Sequence, residues 1–301
     1  MKLLQRQSSW FFYFLPALII YIVFTIFPIA NSLRMSFFQG SGFNLDTFVG
    51  FENYRRLFFD PLISENFWNA FGNTWVFFLV HMLVQNTLGI LFANLLLAQT
   101  GKWGSFYRTM IFLPSTLAIL VTGFLWKLLL NPQWGVITMI AAAIHPELAQ
   151  PWLGNSESAL ITISLISSWQ WVGIPTMIFL ASLQSIPNDL FEAAAIDGVT
   201  WWQVFWYIKL PLVRPIIGVV AILTFTGNFN AFDIVFAMAG INGGPVYSTD
   251  ILGTYFYRIG IAGEHPVGIP NVGLGATVAS LVFLFLFLGV MLIRVFTRER
   301  N

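Results

Sequence analysis

Six stretches of this chain, near positions 11–31, 71–98, 109–130, 158–181, 215–240 and 272–294, are apolar over about 20 residues or more. Each is long enough to cross the roughly 30 Å hydrocarbon core of a bilayer as a helix. Within hydrocarbon a backbone must satisfy its own polar groups, which leaves only helices or a closed barrel. None of the six alternates apolar and polar residues as a barrel strand must, and several carry the Gly, Ala and Ser that let helices pack closely. The chain therefore reads as an all-α integral membrane protein with six transmembrane helices. Composition agrees: 9% of residues are charged and 57% hydrophobic, where a soluble domain carries about 25% charged residues. The first stretch, Trp10 to about Ala30, outruns the roughly 7–15 residues of a signal-peptide core and is expected to be a retained span.

Orientation follows from the basic residues beside the spans. With the N-terminus inside, nine of the fourteen fall on the cytoplasmic side: Lys2, Arg6, Lys102, Arg108, Lys209, Arg214, Arg294, Arg298 and Arg300. Arg34, Arg55, Arg56, Lys127 and Arg258 fall outside. Acidic residues lean the other way, with Asp46, Glu52, Asp60, Glu65, Glu147, Glu157, Asp250 and Glu264 outside and Asp189, Glu192, Asp197 and Glu299 inside. The expected topology is N-in and C-in, with 32–70, 131–157 and 241–271 outside and 187–211 in the cytoplasm. The 32–70 segment, rich in Phe and holding Gly40, Gly42, Gly50 and Pro61, reads as an outer loop with interfacial aromatics. Residues 71–294 form the core of a single domain spanning 1–301. A net charge of +1 gives no reason to expect a nucleic-acid partner.

Chemistry is sparse. The absence of cysteine excludes disulfides, thiolate metal sites and thiol nucleophiles. Gly101-Lys102 lacks the earlier glycine of a phosphate loop and is followed by Trp103, so the chain is not expected to bind ATP by that route. His81, His145 and His265 lie in different segments without metal-ligand spacing, and no metal site is expected. His81 and Gln85 share one face of the second span, which reads as an interhelical hydrogen-bonding face, with a ligand or gate role as the alternative. In the fifth span Thr226, Asn230 and Asp233 fall at i, i+4 and i+7, with Asn228 nearby and Phe229 and Phe232 interleaved. An aspartate inside a span costs about 2.5–3.5 kcal/mol unless it faces protein or a wet cavity. The fourth span adds Trp169, Gln170 and Trp171 at a comparable depth. Carboxylate and carboxamide groups among aromatic faces suit a polyhydroxylated ligand; for each residue singly, a satisfied packing cluster is the alternative. Asp233 would also serve a secondary transporter or channel as an ion or proton site. An intramembrane enzyme has only His81 and Asp233 to point to, without a paired catalytic group.

One polar island remains, Glu192-Ala193-Ala194-Ala195-Ile196-Asp197-Gly198, followed by Ile208-Lys209-Leu210-Pro211. Asp189 is placed to cap a short helix, with Glu192 closing a capping box. The alanines let a foreign surface approach, and Gly198 supplies a left-handed end. Thr200 is placed to cap a second helix, Trp201 to Ile208, which Pro211 should stop. Glu-Ala-Ala, three residues, Gly, nine residues, Ile, one residue, Leu-Pro resembles the signature loop of ABC importer permeases. Glu192, Ala193, Ala194, Gly198, Ile208, Leu210 and Pro211 fill every position. The chain is similar to the carbohydrate-uptake branch, and within it to the maltose-type first permease subunit, through Gly243-Gly244-Pro245, Ser248-Thr249 and Tyr255-Phe256-Tyr257, although it has no large outer insertion. The resemblance implies a type I ABC importer transmembrane fold in a prokaryotic cytoplasmic (inner) membrane. It implies a heterodimer with a second permease subunit, two ATP-binding subunits that carry the ATP and Mg, and an extracytoplasmic solute-binding protein that delivers a sugar or oligosaccharide. Glu192 would then lie on the coupling helix, Ala193 and Ala194 would allow close approach of the ATPase, and Asp197 and Gly198 would form the turn.

Overall fold

The computed structural model describes residues 13–40, 44–99 and 101–297; Lys2, Arg6, Gly42, Arg298, Glu299 and Arg300 lie outside the described residues. Apart from one hairpin of two-residue strands, every regular element among the described residues is a helix. Backbone contacts divide the chain into two units, Met1–Glu65 with Phe256–Phe283, and Asn66–Tyr255 with Leu284–Asn301.

In the first unit, helix α1 (Tyr13–Met35) has a mean hydropathy of 2.2. Its residues 13–30 are exposed almost throughout, as lipid-facing side chains would be. Strand β1 (Phe38–Gln39) then pairs antiparallel with β2 (Thr47–Phe48), and α2 (Glu52–Phe59) follows. Asn53 fastens this segment: it is fully buried and donates to the Ser36 and Phe38 carbonyls at 2.9 and 2.8 Å. Thr277 donates to the same Ser36 carbonyl at 3.3 Å. The segment read as an outer loop is thus partly folded, and from Pro61 onward it is already helix.

That helix, α3 (Pro61–Leu97), runs for 37 residues and contains a π turn at His81–Asn86. Helices α4 (Gly101–Thr116) and α5 (Ile119–Leu129) meet at 94°, so the third apolar window is not one straight span. Pro114 has no N–H to give and its ring crowds the preceding turn, which is why the helix tightens to a 3₁₀ end and breaks there. After α6 (Val136–Ile144), helices α7 (Ala159–Trp171) and α8 (Gly173–Gln184) are bent by 46°; here Pro175 denies Trp171 its i+4 hydrogen bond. Then come α9 (Asn188–Ile196), α10 (Trp201–Phe229), α11 (Asp233–Ala239), α12 (Leu252–Tyr257) and α13 (Val272–Thr297). Helices α1, α3, α10 and α13 are individually long and apolar enough to cross a membrane, and each bent pair qualifies only when taken together, giving up to six spans.

Two apolar clusters organise the second unit. One joins Phe77, Ile163, Ile166, Ile234, Val235 and Met238, bringing together α3, α7 and α11. The other joins Ala93, Leu96, Phe179, Leu183, Val213 and Val220, from α3, α8 and α10. Helix α8 also starts hard against α4: a Cβ on Gly173 would come within 2.8 Å of the Ile111 carbonyl oxygen.

Candidate functional site

The polar island folds into a helix hairpin. Helix α9 ends with Val199 N–H bonded to the Ala194 carbonyl at 3.0 Å and Gly198 N–H to that of Ala195 at 3.2 Å. This Schellman end requires a left-handed residue, supplied by Gly198 at φ +69°. Thr200 caps α10, and its partner in a reciprocal capping box is Gln203. The box expected at Asp189 and Glu192 does not form. Pro187 occupies the cap position and α9 begins at Asn188 without a side-chain cap, leaving Asp189 inside the first turn, where its charge favours the helix dipole. Nor does Pro211 stop the second helix. A π turn at Phe205–Lys209, with Leu210 N–H bonded to the Phe205 carbonyl, precedes it, and α10 continues to Phe229. The widened turn accommodates a residue that cannot donate and whose ring would crowd a regular helix.

Glu192, Ala193, Ile196, Asp197 and Gly198 are exposed, Ile196 at 87%. Ala194 is buried at 5%; it packs against its own chain and leaves Ala193 and Ala195 as the alanines open to approach. Ile208 and Leu210 are half-buried and Pro211 is exposed. The hairpin is fastened to the bundle by Lys209, buried at 8% exposure. Its Nζ donates to Asn94 Oδ1 on α3 at 2.7 Å and lies 5.6 Å from the centre of the Phe191 ring on α9.

The second feature is a cavity of about 440 Å3 lined by Phe77, His81 and Gln85 from α3, Ser167 and Trp171 from α7, and Asn228, Asn230, Phe232 and Asp233 around the end of α10, among others. The expected stripe of Thr226, Asn230 and Asp233 does not lie on one helix. Helix α10 ends at Phe229, Asn230 is its cap and α11 begins at Asp233. The Asn228 and Asn230 amides donate back to the Thr224 and Thr226 carbonyls at 2.7 and 2.9 Å, side-chain bonds of the kind that compete with a helix ladder. The break brings Asn228, Asn230, Phe232 and Asp233 to the cavity while Thr226 is not among its lining residues. His81 Nδ1–H donates to the Phe77 carbonyl at 2.8 Å, and Nε2 is 3.0 Å from Ser167 Oγ; a neutral ring accepts there from the hydroxyl. The interhelical bond read from the sequence is thus present for His81. Gln85 makes none.

Three sequence candidates lie elsewhere. Phe229 is 1% exposed and packs with Trp75, Phe225 and Phe285 at ring distances of 5.4, 4.8 and 4.9 Å. Trp169 lies edge to face on Trp126 at 5.4 Å. Gln170, fully buried, donates to the Leu117 carbonyl at 3.1 Å and so satisfies the backbone freed by the α4–α5 bend. A second cavity of about 520 Å3, in the first unit, is lined by Arg56, Asp60 and Pro266 among others and by none of the candidate coupling or pathway residues.

A model of the family described as the binding-protein-dependent transport system inner membrane component matches residues 85–300. The chain belongs to this family. It is similar to the multiple sugar-binding transport system permease protein MsmF of Streptococcus mutans, 34% identical with 96% of this chain and 94% of the relative covered. It is similar also to the lactose transport system permease protein LacF of Rhizobium radiobacter, 32% identical with 92% and 89% covered. Among solved structures, a bacterial ABC transporter involved in the import of the acidic polysaccharide alginate superposes with a TM-score of 0.82 at 24% identity, over 100% of this chain and 98% of that one. The same kind of transporter, solved in complex with an alginate pentasaccharide-bound periplasmic protein, gives 0.77 at 25% identity over 98% and 94%. The resemblance to ABC importer permeases read from the loop therefore holds, and the fold is that of a type I importer permease.

In this permease the matched region includes the hairpin and the cavity's lining residues from Gln85 onward, but not Phe77 or His81. Gln85, Ser167 and Thr224 line the cavity without having been ranked as pathway residues. The sequence signal for Gln85 was its spacing from His81. For the two hydroxyl residues there was none, because small polar residues are common at helix contacts.

Proposed function

We propose that this permease forms half of the membrane pathway of an ATP-driven importer for a sugar or oligosaccharide, in a prokaryotic cytoplasmic membrane. It is a single domain of six spans with both termini inside, paired with a second, unlike permease subunit and served by two ATPase subunits and an extracytoplasmic binding protein. The names of its relatives support the sugar, and the neighbour solved with a periplasmic protein supports the delivery partner. The observation that carries the coupling role is the hairpin: two helix ends closed around Gly198, an exposed edge at Glu192, Ala193 and Ile196, and a buried fastening through Lys209 and Phe191. Force applied to α9 reaches α3 through Asn94 and the cavity through α10. The substrate path follows Asn228, Asn230, Phe232, Asp233 and Trp171. ATP and Mg belong to the partner ATPase.

Co-purification with a P-loop ATPase tests the coupling role. Complex formation should be lost on deleting 192–198 and on Gly198→Pro, and its persistence in both variants would end the proposal. A gradient-driven carrier with Asp233 on the cavity wall as its ion or proton site is the alternative; uptake without ATP in vesicles would favour it.

A further inference from the structure

We infer that Gln85 is a sugar-contacting residue, its carboxamide bridging two neighbouring hydroxyls of a neutral sugar; this rests on the proposal that the 440 Å3 cavity belongs to the sugar pathway. Gln85 lines that cavity, is only 7% exposed, and its Oε1 has no hydrogen-bond partner among the described residues. Roughly 90% or more of such buried groups in native proteins are paired. The next residue is an internal comparison. Asn86, in the same π turn, carries the same chemical group and is tied to Thr224 Oγ1 at 3.0 Å. The turn thus gives one amide to helix packing and holds the other at the cavity wall.

Four other polar side chains of the lining are already engaged. Both His81 nitrogens have partners, the Ser167 hydroxyl meets His81, the Thr224 hydroxyl donates to the Val220 carbonyl at 2.9 Å, and the Asn228 amide nitrogen donates to Thr224. A carboxamide presents an acceptor and two donors on one planar group, which matches the paired donor and acceptor capacity of adjacent ring hydroxyls. Trp171 on the same wall supplies an apolar face for the ring. Among the described lining residues there is no lysine or arginine, and Asp233 carries the carboxylate, so a phosphorylated or uronic sugar meets like charge.

The chain contains no cysteine, so Gln85→Cys in the assembled transporter, with its ATPase and binding protein in proteoliposomes, provides a single thiol for mass-spectrometric labelling of this subunit. Lactose, maltotriose and arabinotriose are the neutral probes, and glucose 1-phosphate and galacturonate the anionic ones. At least one neutral probe should slow methanethiosulfonate labelling tenfold or more, and neither anion should. No labelling, labelling indifferent to every probe, or protection by an anion would each overturn the inference. In a variant that still assembles, Gln85→Leu should raise the half-saturating concentration of the protecting sugar tenfold or more, with Gln85→Asn intermediate; wild-type values in Gln85→Leu would overturn it too. Trp171→Cys and Asn230→Cys separate the two levels. Protection there without an effect at position 85 defeats only the role of Gln85, whereas no protection at any of the three defeats the pathway proposal as well.

Discussion

Lys209 is the residue through which the hairpin and the bundle hold each other. A buried ammonium is tolerable only when paired, and here the partners are the Asn94 amide oxygen at 2.7 Å and the face of Phe191. Hydrogen bonds to charged groups contribute about 1.5–3 kcal/mol. A double-mutant cycle of Lys209→Met and Asn94→Leu, read by denaturant unfolding in detergent, should return a coupling energy of that size; additivity would show that the two side chains do not support one another. Gly198 acts locally in a different way. At φ +69° an added Cβ costs roughly 1–2 kcal/mol, so Gly198→Ala should speed amide exchange at Gly198 and Val199, whose N–H groups close the Schellman end. Unchanged exchange there would mean that the turn tolerates a side chain. Gln170→Leu should cost about 1–3 kcal/mol by orphaning the Leu117 carbonyl, measured as lost stability of the same purified chain.

At the scale of elements, the long helices were legible because apolar length is a property of composition alone. The breaks were not, because they depend on where a proline falls relative to its own helix. Pro114 ends α4 at a 94° corner, Pro175 accompanies a 46° bend, and Pro211 leaves α10 continuous behind a π turn. Trp171 lines the cavity and Trp169 does not because, two residues apart on α7, they point about 200° apart around the helix axis. The capping box forms elsewhere for a similar reason: Pro187 takes the cap position of α9 two residues ahead of Asp189, while Thr200 and Gln203 form the reciprocal pair. The seven signature positions, by contrast, were legible as a spacing, and the structure gives the spacing its shape through Gly198. Pro211→Ala tests whether the π turn is the element that sets the hairpin. With an N–H restored at 211, a regular i→i−4 bond becomes available, and losing one residue from the turn rotates the hairpin by about 100° around the helix axis. The Lys209–Asn94 coupling energy should then vanish in the Pro211→Ala background. Its survival would show that the π turn is held by other contacts.

For the whole molecule, the asymmetry of charge makes one claim that the packing of helices cannot make, namely which end faces the cytoplasm. Cytoplasmic loops gather Lys and Arg because translocating them is costly during insertion, and the proposed topology built on this bias puts the hairpin inside and the 241–271 segment outside. Two positions in the second unit convert the claim into an accessibility measurement. Ile196 at the tip of the hairpin and Val246 in the Gly-Gly-Pro segment are each 87% exposed, so neither would be hidden from a reagent by its own chain. Because the chain has no native cysteine, Ile196→Cys and Val246→Cys each create a single reporter. In intact cells or sealed spheroplasts a membrane-impermeant maleimide should label Val246→Cys at once and Ile196→Cys only after the membrane is opened. The reverse pattern would invert the topology and move the hairpin away from any cytoplasmic ATPase. Labelling of both in sealed cells would mean that an odd number of crossings does not separate them, and the stretch from α10 through the break after Phe229 to α11, which alone lies between the two positions, would then have to be re-entrant.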